Sequence, residues 1–290
     1  MSPRTRVFAI VATAAVVVAG ATVGVTLLQT RGESTGTTAR KGFPPLDLPA
    51  SPAVRLYQAG KHAQAEALFS RSHDLGDEIG AAFARWPHGT LDDMKKLVAA
   101  NPESGLAQLH LGLAAYWSGR DADAATAWTD AAKVQPDEPS AITALDFLHP
   151  GVAPGLPPIV VDEREIDPHA RALLLKGIES WDREHVVTAK REIDAAAKRA
   201  PRDPVVLTAD AVATFTPASP ERPFPKLGPL TAEFPKAAVV RLHLGVLLLW
   251  TRQVKKGEQQ LRLAVAAQPG SVYASQAKVL LNALSKDGTH

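Results

Sequence analysis

The segment "LHLGLAAYWSGRDADAATAWTDAAKVQP" (Leu109–Pro136) reads as two helices and a turn. Leu109, Leu113 and Tyr116 recur at helical spacing, "SGRD" makes the turn, and Ala124, Trp128 and Ala131 continue as a second apolar stripe. Small residues at facing positions let the two helices approach closely, a large residue fills the gap between them, and Pro136 ends the second helix. Such a hairpin alone leaves an apolar face uncovered, so it has to stack on others.

The rest of the chain supplies them. "LHLG" returns at Leu242–Gly245, 133 residues after Leu109–Gly112, within a longer match of "LVAANPESGLAQLHLG" (Leu97–Gly112) to "LTAEFPKAAVVRLHLG" (Leu230–Gly245). Trp117 matches Trp250 at the same offset, Ala131 matches Ala264, and Pro136 matches Pro269. A shorter pattern lies inside this duplication. Gly112 is followed by Ala124, Ala131 and Pro136; Gly177 by Ala189, Ala196 and Pro201 at the same steps; Gly245 by Gly257, Ala264 and Pro269. A weaker copy runs from Ala53 through Ala65, Ser72 and Asp77, with Phe69 in the large place held by Trp128, Ile193 and Leu261 elsewhere.

This pattern resembles the tetratricopeptide repeat family, whose unit is a pair of antiparallel helices of about 34 residues. The copies begin 59, 65 and 68 residues apart, so a worn hairpin is expected between each clear pair. Ile79 to Trp86 with Leu91 to Ala100 form one; Ser140 to Leu148 and Pro204 to Phe215 read as lone helices. "HPGVAPGLPPI" (His149–Ile159) separates two lobes, and Pro217 to Pro235 carries six prolines where a regular repeat has a helix. The expected fold is all-α, a tetratricopeptide-like solenoid of about five to seven hairpins, some degenerate, in lobes covering 50–150 and 160–285.

Ahead of the lobes stands "VFAIVATAAVVVAGATVGVTLL" (Val7–Leu28), 22 residues without a charge. As a helix it spans roughly 33 Å, enough for a bilayer. It is read as a transmembrane signal anchor, with residues 1–6, including Arg4 and Arg6, in the cytoplasm and everything after Leu28 outside. Residues 29–49 are read as a flexible linker. A cleaved signal peptide is the alternative, carried by the small residues at Ala19 to Ala21; it leaves a secreted soluble protein that binds a small ligand or cell-wall fragment. Lipidation on cysteine is excluded because there is none.

The net charge of +2 belongs to the N-terminus: five Lys/Arg and one Glu lie in residues 1–41, and the remainder has 27 basic and 29 acidic side chains. No nucleic-acid signature remains. Charge is uneven along the repeats, with ten basic and four acidic residues in 221–290. Arg252, Lys255, Lys256 and Arg262 form a candidate basic patch for an anionic partner, against the simpler reading of a solvated face.

The nine histidines form no HxxxH or HExxH pair, and zinc spacings built on cysteine are absent. His110 and His243 are read as surface or edge residues that recur because their hairpins recur. "VDEREIDPH" (Val161–His169) reads as a solvated helix start with Asp167 as N-cap and Pro168 at the first helical position. No GxSxG and no phosphate loop occurs, so neither catalysis, metal nor cofactor is expected.

What the resemblance implies for binding is a groove. In tetratricopeptide folds the first helix of each hairpin lines the inner face, and side chains one, four and five places after the repeat glycine point to it. Those places hold Tyr57; Leu113, Tyr116 and Trp117; Trp181; and Leu249 and Trp250. The rings serve either as core between hairpins or as anchors for extended peptide along one continuous surface. The function expected is an envelope scaffold or capture module for proteins or peptide segments. Similar layouts serve bacterial proteins that assist secretion, assembly or folding of exported chains, and cytochrome c maturation factors.

Overall fold

The computed structural model describes residues 40–287, with side chains to 285. The expected membrane span, 7–28, and residues 29–39 of the expected linker lie outside this range. Among the described residues there are fourteen α-helices and no strand, and no helix is long and apolar enough to cross a membrane.

Residues 40–148 form one compact unit and residues 149–287 another, lobes 1 and 2 below. Lobe 1 contains α1 (Pro52–Gln58), α2 (His62–Phe69), α3 (Leu75–Ala84), α4 (Thr90–Ala100), α5 (Gly105–Trp117), α6 (Asp121–Val134) and α7 (Pro139–Leu148). Lobe 2 contains α8 (Pro168–Asp182), α9 (Val186–Arg199), α10 (Pro204–Val212), α11 (Phe224–Glu233), α12 (Ala238–Trp250), α13 (Val254–Ala267) and α14 (Val272–Asp287). Each lobe is three consecutive hairpins closed by a single helix, α7 or α14. The first helices of the hairpins pack on one another as an inner layer, and each second helix packs on its own partner.

Pairing follows the small residues. A Cβ on Gly112 would run into the ring of Trp128, and one on Gly177 into Cγ1 of Ile193, both far inside the 3.0 Å that real Cβ atoms respect; on Gly245 it would stand 2.9 Å from Cδ2 of Leu261. Ala124, Ala131, Ala189, Ala196 and Ala264 are fully buried at the same crossings. Pro136, Pro201 and Pro269 stand in the turns just after α6, α9 and α13. In the worn first copy the ring of Phe69 reaches onward to Gly80 of α3, where a Cβ would lie 2.6 Å away.

The stretch Pro217 to Pro235 is a correction. It holds α11, although six prolines argued against a helix there. Pro223 and Pro225 fall at the helix start, where backbone N–H groups have no intrahelical acceptor, so the missing donors cost nothing. Pro229 alone interrupts the ladder. The paired second helix therefore exists, and α10 is not a lone helix.

Helix starts are set by short side chains. Ser51, Asp167 and Asp203 each cap a helix that opens with proline, accepting respectively from Val54 N, from His169 N, and from both Val205 N and Val206 N. Four hairpin turns share one ending. Seven residues after the repeat position stand Gly60, Gly119, Glu184 and Arg252, all left-handed, with φ of 73°, 78°, 62° and 59°. The next residue donates five places back each time: Lys61 to Leu56 O, Arg120 to Ala115 O, His185 to Ser180 O, and Gln253 to Leu248 O. Glycine adopts this conformation without strain and Glu184 does not. Glu184→Gly is therefore expected to raise stability by about 1 kcal/mol, read as a higher urea midpoint at unchanged slope. An unchanged or lowered midpoint would show that the side chain of Glu184 outweighs its backbone strain.

Candidate peptide groove

The inner face of each lobe is covered by a piece of the chain itself. Residues 40–49, of the expected linker, and residues 153–162, in the expected break between lobes, run extended across the first helices. Their sequences align at an offset of 113: Pro44-Pro45-Leu46-Asp47-Leu48 with Pro157-Pro158-Ile159-Val160-Val161. Proline pairs favour extended backbone, and they bring no N–H that an apolar surface would leave unsatisfied.

Three backbone clamps recur at matching positions. The N–H of Arg40 donates to Trp117 O at 2.8 Å, and that of Ala153 donates to Trp250 O at 2.9 Å. The hydroxyl of Tyr57 donates to Pro44 O at 2.6 Å, and Nε1 of Trp181 donates to Pro157 O at 2.8 Å. The N–H of Asp47 donates to Nε2 of His110 at 3.2 Å, and that of Val160 donates to Nε2 of His243 at 2.9 Å. Between the clamps an aliphatic side chain, Leu46 or Ile159, is buried. Each strap runs antiparallel to the first helix of its third hairpin, α5 or α12, since the earlier strap residue meets the later helix residue.

The two histidines are the second correction. His110 and His243 are 0% and 1% exposed, not edge residues. In each, Nδ1 lies 2.8 Å from the carbonyl four residues back, Leu106 O or Val239 O. A carbonyl only accepts and a backbone N–H only donates, so the proton sits on Nδ1 and the lone pair on Nε2. The ring is neutral on both counts. Burial pushes both histidines below the ordinary value, His243 to about 4, although the carbonyl at Nδ1 pulls the other way. The duplicated "LHLG" thus has a job: its leucines and glycine pack the hairpin, and its histidine holds a strap.

The remaining residues expected at the groove are placed as follows. In lobe 1 Tyr57 and Leu113 are buried, while Tyr116 and Trp117 are half-buried at the end of α5. In lobe 2 Trp181, Leu249 and Trp250 are buried. The Tyr57 hydroxyl is pushed well above the usual phenol range by burial. Tyr57 and Trp181 therefore do both things considered for the rings, since each is buried and each donates to an extended segment.

Four strap residues carry interactions that the sequence did not point to. The Arg40 guanidinium lies 3.3 Å over the ring of Tyr116, donates to Tyr116 O, and pairs with Asp121 at 3.0 Å. Phe43 stacks on His62 with ring centres 3.5 Å apart. Leu48 lies over Gly76 of α3. Asp162 in lobe 2 donates its N–H to the Tyr273 hydroxyl at 3.0 Å; lobe 1 has Pro49 there, with no N–H to place, and Ser140 in the position of the tyrosine.

Three of the candidate basic residues have contacts of their own. Arg252 turns in to the carbonyls of Gly151 and Pro150, Lys256 bonds to Gln253, Arg262 pairs with Glu258, and Lys255 is exposed on α13. In the acidic stretch Asp162 is held by Arg164 at 2.6 Å, and that contact keeps its carboxyl below the usual range. Asp167 caps α8 as expected.

No family model matches the sequence, and no curated protein matches it. Among solved structures, the "TPR2AB-domain:pHSP90-complex of yeast Sti1" aligns over 80% of this chain and 95% of that one, at 14% identity and a TM-score of 0.34. The case for tetratricopeptide-like hairpins accordingly stands on this chain's own repeat geometry.

Proposed function

We propose that the protein is an interaction scaffold, two tetratricopeptide-like lobes tethered by residues 7–28 to a bacterial cell membrane and facing the extracytoplasmic side, where they hold segments of other envelope proteins. One observation carries the binding half of this reading. Both lobes already hold an extended segment on the inner face by the same three backbone clamps and one aliphatic pocket. A surface that satisfies a peptide's backbone twice, with different neighbouring side chains, is built for extended chain. The tether rests on the length and apolarity of Val7 to Leu28 and on the arginines before it.

The test is photo-crosslinking in the native host, with a photoreactive residue at Trp117 on the groove rim and, as control, at exposed Val187 on α9. One reproducible intermolecular adduct from Trp117 and none from Val187 is expected, in membranes that keep the intact chain after a high-salt wash. A chain recovered wholly in the wash removes the tether. Identical adducts from both sites, or none, remove the scaffold.

A further inference from the structure

We propose that the groove of lobe 1 is a binding site for segments of other proteins that read Pro-Pro-aliphatic-x-aliphatic, and that residues 40–49 are its resident, displaceable occupant. The inference rests on the scaffold reading and names the chain chemistry that the scaffold takes.

The duplicated strap defines what the groove reads. A donor four places after the repeat position, Tyr57 or Trp181, meets the carbonyl of the first proline. A pocket takes the aliphatic residue two places later. A histidine lone pair then takes the next N–H, so any residue but proline fits there, and Asp47 and Val160 both do. Nothing in that set of contacts requires the segment to belong to the same chain.

The two lobes differ in how firmly they keep it. The lobe 2 strap is joined to helices at both ends, α7 before it and α8 after it. It has a fourth clamp at Tyr273, and its side chains Leu156, Val160 and Val161 pack on the lobe core. The lobe 1 strap has Phe43 and Asp47 exposed and lacks the fourth clamp. Where lobe 2 has Ala153, lobe 1 has Arg40, whose ion-pair partner Asp121 is 64% exposed. The pair is half-exposed, with the Arg40 side chain at 19%, so salt weakens it, while the ring and carbonyl of Tyr116 also hold the guanidinium. The lobe 1 strap is therefore the more loosely held of the two.

The probe is a fluorescent peptide of residues 40–51, "RKGFPPLDLPAS", titrated by anisotropy into the full-length protein. The resident strap lowers apparent affinity by the fraction of time that it occupies the groove. Leu46→Asp in the protein ejects the strap and is expected to tighten peptide binding at least tenfold, while the same change in the peptide abolishes binding. Arg40→Ala, which breaks the latch and leaves the core untouched, is expected to tighten it several-fold, and moderate salt to do the same for the parent. Folded Leu46→Asp protein that ignores the peptide overturns the inference. If Leu46→Asp melts lobe 1, Arg40→Ala decides: no gain in binding there means that the strap is a fixed part of the fold. A concentration-dependent parent dimer that Leu46→Asp abolishes also overturns it, because the occupant in trans is then a second copy of this chain. All three results leave a Trp117 adduct in place, so they are separable from failure of the scaffold reading.

Discussion

Gly112→Ala is expected to cost about 3 kcal/mol, and Gly112→Leu to leave lobe 1 without a cooperative thermal transition. The added Cβ would sit inside the indole of Trp128, and that ring cannot swing away. It stacks on Phe147 of α7 with ring centres 4.8 Å apart, and its Nε1 donates to Leu109 O at 3.2 Å. Moving it breaks the α5–α6 crossing and the closing helix together. The equivalent Gly245→Ala in lobe 2 meets the flexible end of Leu261 at 2.9 Å and is expected to cost only about 1 kcal/mol. The internal repeat also supplies a rescue. Trp128→Leu recreates the lobe 2 pairing, so Gly112→Ala with Trp128→Leu should cost clearly less than the sum of the two single changes. Strict additivity, or a Gly112→Ala protein that melts with the parent, would show that the two residues do not meet.

That register was legible because it is local and repeated. Each clear copy sets a glycine 16 residues before a large residue, Gly112 and Trp128, Gly177 and Ile193, Gly245 and Leu261, and one helical hairpin brings such positions face to face. The straps were not legible in the same way. An extended segment of ten residues has no helical period, and a proline-rich stretch with Gly nearby has the composition of a linker. The signal lay one level up, in "FPPLDLP" and "LPPIVVD" near the start of the two lobes, each followed within a few residues by a capped, proline-led helix start. The histidines were misread because a lone His is ordinarily a surface residue, and its helical phase was given less weight than its type. Leu106, His110 and Leu113 in fact follow one stripe. In α11 the count of prolines misled where their positions did not, since two of them occupy the first turn. The membrane segment rests on hydropathy and on the arginines before it, and lies outside the described residues.

Stability should fall steeply between pH 6.5 and pH 4, and His243 should account for much of the fall. In the folded lobe its ring is neutral, closed in by apolar neighbours, and titrates at about 4; in the unfolded chain it titrates near 6.5. The depressed folded value means that the unfolded state takes up the proton first as pH drops. The contribution is complete above pH 6.5, shrinks by about 1.4 kcal/mol per unit below it, and is exhausted near pH 4, a total of about 3 kcal/mol. His110 adds a term of the same sign, opposed in part by Asp47. Protonation would also put a hydrogen on Nε2 facing the N–H of Val160, so the strap loses its acceptor in the same step that buries a charge. His243→Gln isolates the effect, because an amide does not titrate and cannot reproduce both ring contacts. At pH 8 the variant should be less stable than the parent by about 2 kcal/mol, since the N–H of Val160 is left without its partner. On acidification the parent should descend faster, and the two curves should meet near pH 5. Carboxylates titrating in both proteins cancel in the difference. Parallel curves from pH 8 to pH 4 would mean that the ring is not held neutral by the fold, and the clamp assigned to the repeated "LHLG" would fall with it.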